Sequence, residues 1–270
     1  MIQPQSVTAT DWQEAVRPRR RIGHAIEVHG AIASTNDRAR ELLDLAGGDG
    51  GVVIAEEQTA GRGRRGRTWL SPPGLNLLAS VALRPRLPAR DAWQLGLAAA
   101  LAAADACGPA TTVALKWPND LVAVGDGRKL GGLLIETMVA DDRLDGAVIG
   151  IGINANWRRA AMPDEIREEA TSLADVGTAT VDRVALLSRL LDGLDREIVA
   201  IEDGHSPIER YRSRCATLGA RVAVATADGE VRGRAVDLDA AGGLVVVTQD
   251  GGRHVLASGE VVQLRPERGR

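Results

Sequence analysis

Of the 33 lysine and arginine residues in this chain only two are lysine, Lys116 and Lys129, and they fall within fourteen positions of each other. A compact ammonium acts where a planar guanidinium does not, so both positions are candidates for chemistry. Lys116 opens KWPND. A lysine leaving a buried strand beside a Trp-Pro turn can polarise a carbonyl or an acyl phosphate; a salt-bridged strand end would use the same residues. A second stretch, QTAGRGRRGRTW (residues 58–69), packs four arginines and three glycines into its central seven positions. Glycines let backbone N–H groups approach a ligand, and arginines give two-pronged contacts to phosphate or carboxylate. Such a loop suppresses the repulsion between two anions that must react. Trp69 at its end can stack on a base. No Gly-Lys dipeptide occurs, so there is no Walker A loop and any nucleotide site is of another kind.

Two further segments carry polar or space-making residues. Ser34-Thr35-Asn36 sits at a helix start, where hydroxyls and an amide can bind an uncharged polar group; the same triplet also serves as a plain helix cap. GRKLGGLLIE from Gly127 and GIGIN from Gly150 bring Gly131, Gly132, Gly150 and Gly152, which leave room against a sheet or mark bulges and close packing.

The elements that must position these residues follow from periodicity. IGHAIEVHGAIASTNDRARELLDLAGG reads as strand, turn and helix, with Ser34 as N-cap, Asp37 in capping-box register and Gly47-Gly48 as the stop. GVVIAEEQT and GLNLLASVAL are short buried strands. DAWQLGLAAALAAADAC is a helix apolar nearly all round. TVALKWPNDLVAV is strand, turn, strand; RKLGGLLIETMVA and LDGAVIGIGINAN are two more strands joined at Asp141-Asp142-Arg143. Residues 158–180 read as a charged loop. VDRVALLSRLLDGLDREIVAI and SPIERYRSRCATLG read as helices. From about Ala220 short strands alternate with Asp/Gly turns, a small barrel of about five strands. The expected class is α+β, a mixed sheet with flanking helices followed by a small β unit. The expected division is an extension at residues 1–22, a catalytic domain at 23–218 and a β-barrel domain at 219–270.

Composition narrows the function. Net charge is −3 and aromatic residues are 2%, with no Phe, so the core must be aliphatic. An RNA-binding module built on the Arg/Gly stretch remains a remote alternative, because such segments belong to basic, low-complexity tails with interleaved aromatics. Two distant cysteines and four scattered histidines form no metal-ligand pairs, so no metal site is expected. No apolar run spans a bilayer and the N-terminus has no signal-peptide core, so the expected compartment is the cytoplasm.

Ser34-Thr35-Asn36, QTAGRGRRGRTW, KWPNDL, GRKLGGLLIE and GIGIN, in this order and at these spacings, resemble the biotin protein ligases, the biotin–[acetyl-CoA-carboxylase] ligases. The likeness spans about residues 25–265 and includes Thr171-Ser172-Leu173. It implies a class II aminoacyl-tRNA synthetase-like catalytic domain with a C-terminal SH3-like barrel. It further implies ATP and biotin as substrates, Mg²⁺ brought by ATP, and a biotin carboxyl carrier domain of acetyl-CoA carboxylase or a related carboxylase as partner.

By the same resemblance Ser34, Thr35, Asn36 and Gln58 hold biotin, with Gly63, Gly131 and Gly132 lining its pocket. Arg62 and Arg64 hold carboxylate and phosphate. Arg67, Trp69 and Asn154 lie on the nucleotide side, and Lys129 touches phosphate. Lys116, with Arg64, is catalytic and meets biotin at the acyl-phosphate linkage. About 30 residues precede the Ser-Thr-Asn triplet, too few for the DNA-binding repressor domain of some relatives. A form without DNA binding is expected, and a homodimer is open. A lipoate or octanoate ligase, related in fold, is the nearer alternative.

Overall fold

The computed structural model describes residues 7–109, 112–177, 179–226, 229–257 and 259–263. Seven strands form one sheet: β1 (Ala25–Ile32), β2 (Gly51–Gln58), β3 (Leu77–Leu83), β4 (Val113–Lys116), β5 (Asp120–Ala123), β6 (Lys129–Ala140) and β7 (Arg143–Ile153). Their order is β1-β2-β3-β7-β6-β5-β4. Only β1 and β2 run parallel; the other neighbours are antiparallel. Five strands, β8 (Arg221–Thr226), β9 (Gly229–Leu238), β10 (Leu244–Val247), β11 (Arg253–Leu256) and β12 (Glu260–Gln263), make a separate antiparallel sheet. The helices are α1 (Ala9–Ala15), α2 (Thr35–Leu43), α3 (Trp93–Cys107), α4 (Asp164–Arg167), α5 (Leu173–Gly177), α6 (Arg183–Glu202) and α7 (Ile208–Arg214). The expected mixed sheet with flanking helices and the small SH3-like β unit are both present.

Strand alternation sorts the large sheet's residues between two faces. Val52, Ile54, Ala79, Val81, Ile149, Ile151 and Ile153 join the main core with α3 and α6. Val53, Ala82 and Val148 join a smaller cluster under α2 with Ala39, Leu42 and Leu43. The alanines of α3 let α6 come close: a Cβ on Gly193 would lie 3.3 Å from Ala102 Cβ. Asp182 caps α6 by accepting from the N–H groups of Val184 and Ala185 at 2.9 and 3.0 Å. No helix among the described residues is long and apolar enough to cross a membrane.

Three local readings change. The weakly periodic N-terminus contains α1, capped by a Thr8–Asp11 box, and packs on the body through Trp12, Ala15, Val16 and Ile22. The stretch from 158 to 180 is not all loop but includes α4 and α5. Helix α2 ends at Leu43, before Gly47-Gly48, with Asp44 as its C-cap.

Trp12 is 1% exposed, its indole N–H donates to Glu56 Oε1 at 2.9 Å, and the Arg183 guanidinium lies 5.4 Å from its ring centre. Trp12→Ala should lower unfolding stability by about 3 kcal/mol or more. Urea denaturation measures it, and a loss under about 1 kcal/mol would mean that α1 is only loosely attached.

Candidate functional site

The site lies where Gly132 on β6 and Gly150 and Gly152 on β7 thin out the side chains on the α2 face. Gly132 pairs with Gly152, and Leu134 with Gly150. A narrow cavity of about 60 Å³ above them is lined by Ser34, Thr35, Asn36, Gln58, Arg62, Gly63, Arg64, Trp69, Asn119, Lys129 and Gly132, among others. Trp69 rests against the bare backbone: a Cβ on Gly152 would lie 2.6 Å from its ring, and one on Gly150 2.2 Å from Asn36 Oδ1.

The cavity's polar wall is built around the start of α2. Ser34 caps the helix, its Oγ accepting from Asp37 N–H at 3.4 Å. Gln58 Oε1 accepts from both the N–H and the hydroxyl of Thr35, at 2.8 and 3.0 Å. Since the Thr35 N–H can only donate, the Gln58 amide is oriented, and its Nε2 donor is directed away from Thr35. Ser80 interrupts the apolar run of β3 and is fully buried; it lies 2.7 Å from Thr35 Oγ1 and 2.7 Å from Asn36 Oδ1. Asn36 Nδ2 donates to Leu134 O and to Glu136 Oε2. The wall is thus fixed before any ligand arrives, in the right chemistry for an uncharged ring with both donors and acceptors.

The Arg/Gly stretch folds back on itself. Gly63 N–H donates to Arg67 O at 2.7 Å and Trp69 N–H to Gly61 O at 2.9 Å. Arg65 and Gly66 turn its tip with φ of 57° and 74°, and Arg65 Nη1 donates to Ala225 O on β8 at 3.2 Å. Arg62 reaches across the cavity mouth to Asp37, donating to both carboxylate oxygens at 2.6 and 2.7 Å, with Glu136 at 3.5 Å. The half-formed capping box is explained here, since the Asp37 side chain serves the loop rather than its own helix. Arg62 holds the Asp37 carboxyl below its ordinary value. Arg64 has a weaker hold, one hydrogen bond to Asn119 Oδ1 at 3.3 Å. Burial, with Arg65 nearby, pushes its guanidinium below the ordinary value.

Beyond Arg64 the cavity opens into a cleft of about 1090 Å³ between the large sheet and the C-terminal unit. Gly63, Arg64, Trp69, Asn119 and Lys129 border both spaces. Lys116, Arg67 and Asn154 border only the cleft. The two lysines differ: Lys129 pairs with Asp120 at 2.6 Å and lies 5.7 Å from the Trp69 ring centre, whereas Lys116 has no carboxylate partner among the described residues. The KWPND turn is tied to the C-terminal side by Trp117, whose Nε1 donates to Gly242 O and whose backbone N–H donates to Thr217 Oγ1, both at 3.0 Å.

Most residues expected at the site therefore come together, in two connected spaces. Gly131 does not. It pairs with Ile153 and borders neither space; a Cβ there would lie 2.8 Å from Gly152 O and 3.1 Å from Leu121 Cδ1. Adjacent strand residues point to opposite faces, so only one of the Gly131-Gly132 pair can floor a cavity. Asn119, Ser80 and Glu136 are additions. Ser80 had a signal, a lone hydroxyl in LLASVAL, and Glu136 closes GRKLGGLLIE, though nothing in that stretch shows its pairing with Arg62.

Residues 30–154 match the biotin/lipoate A/B protein ligase family, and residues 217–263 match the biotin protein ligase C terminal domain. The chain is 39% identical over 247 residues to a biotin–[acetyl-CoA-carboxylase] ligase of Mycobacterium tuberculosis, covering 87% of this chain and 88% of that protein. It is 35% identical over 243 residues to one from Paracoccus denitrificans, covering 85% and 98%. Among solved structures, the biotin protein ligase from Aquifex aeolicus in complex with biotin and ATP matches with a TM-score of 0.74 at 29% identity, covering 90% of this chain and 99% of that one. The fold and its glycine-floored cavity are thus of the biotin/lipoate ligase class. Together with the matching C-terminal domain, they show that the chain belongs to the biotin protein ligase family.

The geometry makes two predictions. Gly131→Ala should cost about 1–3 kcal/mol of stability by crowding the Gly152 carbonyl. Gly132→Ala meets only the movable ends of Lys129 and Trp69, at 3.2 Å, so it should leave stability nearly intact and weaken ligand binding. Thermal unfolding beside ligand titration separates them, and the reverse pattern would refute the assignment of faces. The second concerns the Arg62–Asp37 clasp. Because the folded carboxyl titrates below its ordinary value, the clasp persists above the unfolded pKa and is lost as pH falls through the lower folded one. Amide-exchange protection of residues 61–68 should stay flat from about pH 7 to 5 and fall only below about pH 4. Asp37→Asn should remove that protection at every pH.

Proposed function

We infer that the chain joins biotin to a lysine of a biotin carboxyl carrier domain in two steps at this one site. The observation that carries the reading is the meeting of two spaces at Arg64: a narrow cavity with a neutral polar wall, and a broad cleft edged by Lys116 and Asn154. In the first step a biotin carboxylate oxygen attacks the α-phosphorus of ATP, which arrives with its Mg²⁺. The bond to the β-phosphate bridge breaks, pyrophosphate leaves and biotinyl-5′-AMP remains. In the second, the lysine ε-amine attacks the acyl carbon. The acyl–phosphate bond breaks, AMP leaves with the electron pair and the amine gives up a proton.

Both steps are problems of positioning and charge. Ser34, Thr35, Asn36 and Gln58 hold the biotin ring system over Gly132. Arg62 and Arg64 receive its carboxylate and the α-phosphate. Arg67, Trp69 and Asn154 face the nucleotide, with Lys129 toward its phosphates. Lys116, at the end of β4 and with no carboxylate partner among the described residues, stabilises the charge that grows at the acyl-phosphate linkage in both steps. The carrier domain of acetyl-CoA carboxylase or a relative enters from the cleft, and the reaction takes place in the cytoplasm. A lipoate ligase would share the fold, but its acid ends in an apolar dithiolane. It offers no partner to a donor that the wall does not use internally, such as Gln58 Nε2, at a cost of about 1–3 kcal/mol per buried group left unpaired.

Biotin-dependent exchange of ATP with pyrophosphate, against lipoate-dependent exchange, tests the reading; equal rates would overturn it. Lys116→Arg keeps the charge but changes its shape and reach. It should lower both adenylate formation and single-turnover transfer by about a hundredfold, the scale of losing one charge-stabilising group. Near-normal rates in both steps would remove Lys116 from its role.

A further inference from the structure

Asn76, just ahead of β3, is 1% exposed and uses every polar group of its side chain on parts of the site. Its Oδ1 accepts from Ala155 N–H at 3.1 Å. Its Nδ2 donates to Ser71 Oγ at 3.1 Å and to Asn154 Oδ1 at 3.4 Å. Asn154 Nδ2 in turn donates to Thr171 O at 3.1 Å. A backbone N–H can only donate and a carbonyl can only accept, so the two ends of this chain set the direction of every amide in it. Asn154 cannot flip without leaving a donor facing a donor. Ser71 follows Trp69 by two residues, so the same amide also ties down the end of the Arg/Gly loop.

Asn76 is itself held from behind. Its carbonyl accepts from Arg183 Nη1 at 3.1 Å, and that guanidinium, 1% exposed, pairs with Glu56 at 2.7 Å. A buried charge so paired and hydrogen-bonded is difficult to shift. We propose that Asn76 is the positioning residue of the nucleotide side, fixing the amide orientation of Asn154. It touches no substrate; it acts through Asn154. The proposal rests on the assignment of Asn154 to the nucleotide side, so the test includes that residue separately.

Asn76→Asp keeps the shape and the acceptor but removes both donors. Asn154→Ala is the reference, and the double variant completes the cycle, with KM for ATP, KM for biotin and kcat measured by pyrophosphate exchange. Losing one oriented hydrogen bond corresponds to a factor of about ten at most. Asn154→Ala and Asn76→Asp should each raise KM for ATP by up to about tenfold, with KM for biotin within about twofold. On the Asn154→Ala background the Asn76 change should add little, because its effect runs through a group already gone. If both single variants raise KM for ATP but their effects multiply, or if Asn76→Asp changes both KM values equally, Asn76 is only structural and the proposal fails. An Asn154→Ala enzyme with unchanged KM for ATP would instead overturn the nucleotide-side assignment, and the proposal with it. Should Asn76→Asp not fold, Asn76→Ser removes the same donor to Asn154 without burying a charge and is read by the same cycle.

Discussion

A flat ligand can lie against a β-sheet only where the sheet has no side chains, and this site depends on that requirement. Gly132 and Gly152 face each other across β6 and β7, and Gly150 lies one pair further along. Alternation does the rest. The residues between them, Leu133, Ile151 and Ile153, turn to the other face and join the core. The same two strands therefore floor a binding cavity on one side and hold α3 on the other. The bare floor also fixes what leans on it. Asn36 occupies the space a side chain at Gly150 would fill, and Trp69 the space at Gly152. These contacts hold the start of α2 and the end of the Arg/Gly loop at one depth above the sheet.

Charge is distributed unequally over that floor. A cluster of cations near one cavity repels itself unless it is neutralised or screened. Arg62 meets this with a two-pronged bond to Asp37 and a second carboxylate at Glu136. Lys129 meets it with Asp120. Among the described residues Arg64 has a neutral amide and Lys116 no carboxylate; Arg64 stands where the cavity opens and Lys116 within the cleft. Exposed pairs such as Arg62–Asp37 contribute about 1 kcal/mol or less, so an incoming anion can exchange with them. Arg62 thereby ties the loop to α2, while Arg64 and Lys116 are held less tightly.

Much of this was legible in the sequence. Period-two and period-3.6 patterns gave the strands and long helices, and the motif order gave the residues that gather around the cavity. Gly131 shows a misreading that alternation alone would have corrected. Trp12 shows a different limit: α1 has only seven residues, so the spacing of Trp12, Ala15 and Val16 covers a single turn and is too short to read as a helix. Glu136 and Asn76 mark the third. Their roles come from strands and turns that approach only in the folded chain, and neither Glu136 on a half-exposed strand nor Asn76 in GLNLL differs in type from an ordinary surface or turn residue.

The C-terminal sheet completes the cleft rather than standing apart from it. Its strand β8 accepts the Arg65 hydrogen bond at the loop tip, and the Gly242 turn accepts that of Trp117 beside Lys116. The Arg/Gly loop and the KWPND turn thus each have a fixed point on the C-terminal unit. In a two-step reaction this arrangement has a use. The adenylate formed in the first step must stay in place while pyrophosphate leaves and a protein amine enters. On the proposed reading the narrow cavity, whose mouth Arg62 crosses, holds the biotin end. The wide side must open to a macromolecule, and it is bounded by the domain to which the loop and the lysine turn are attached.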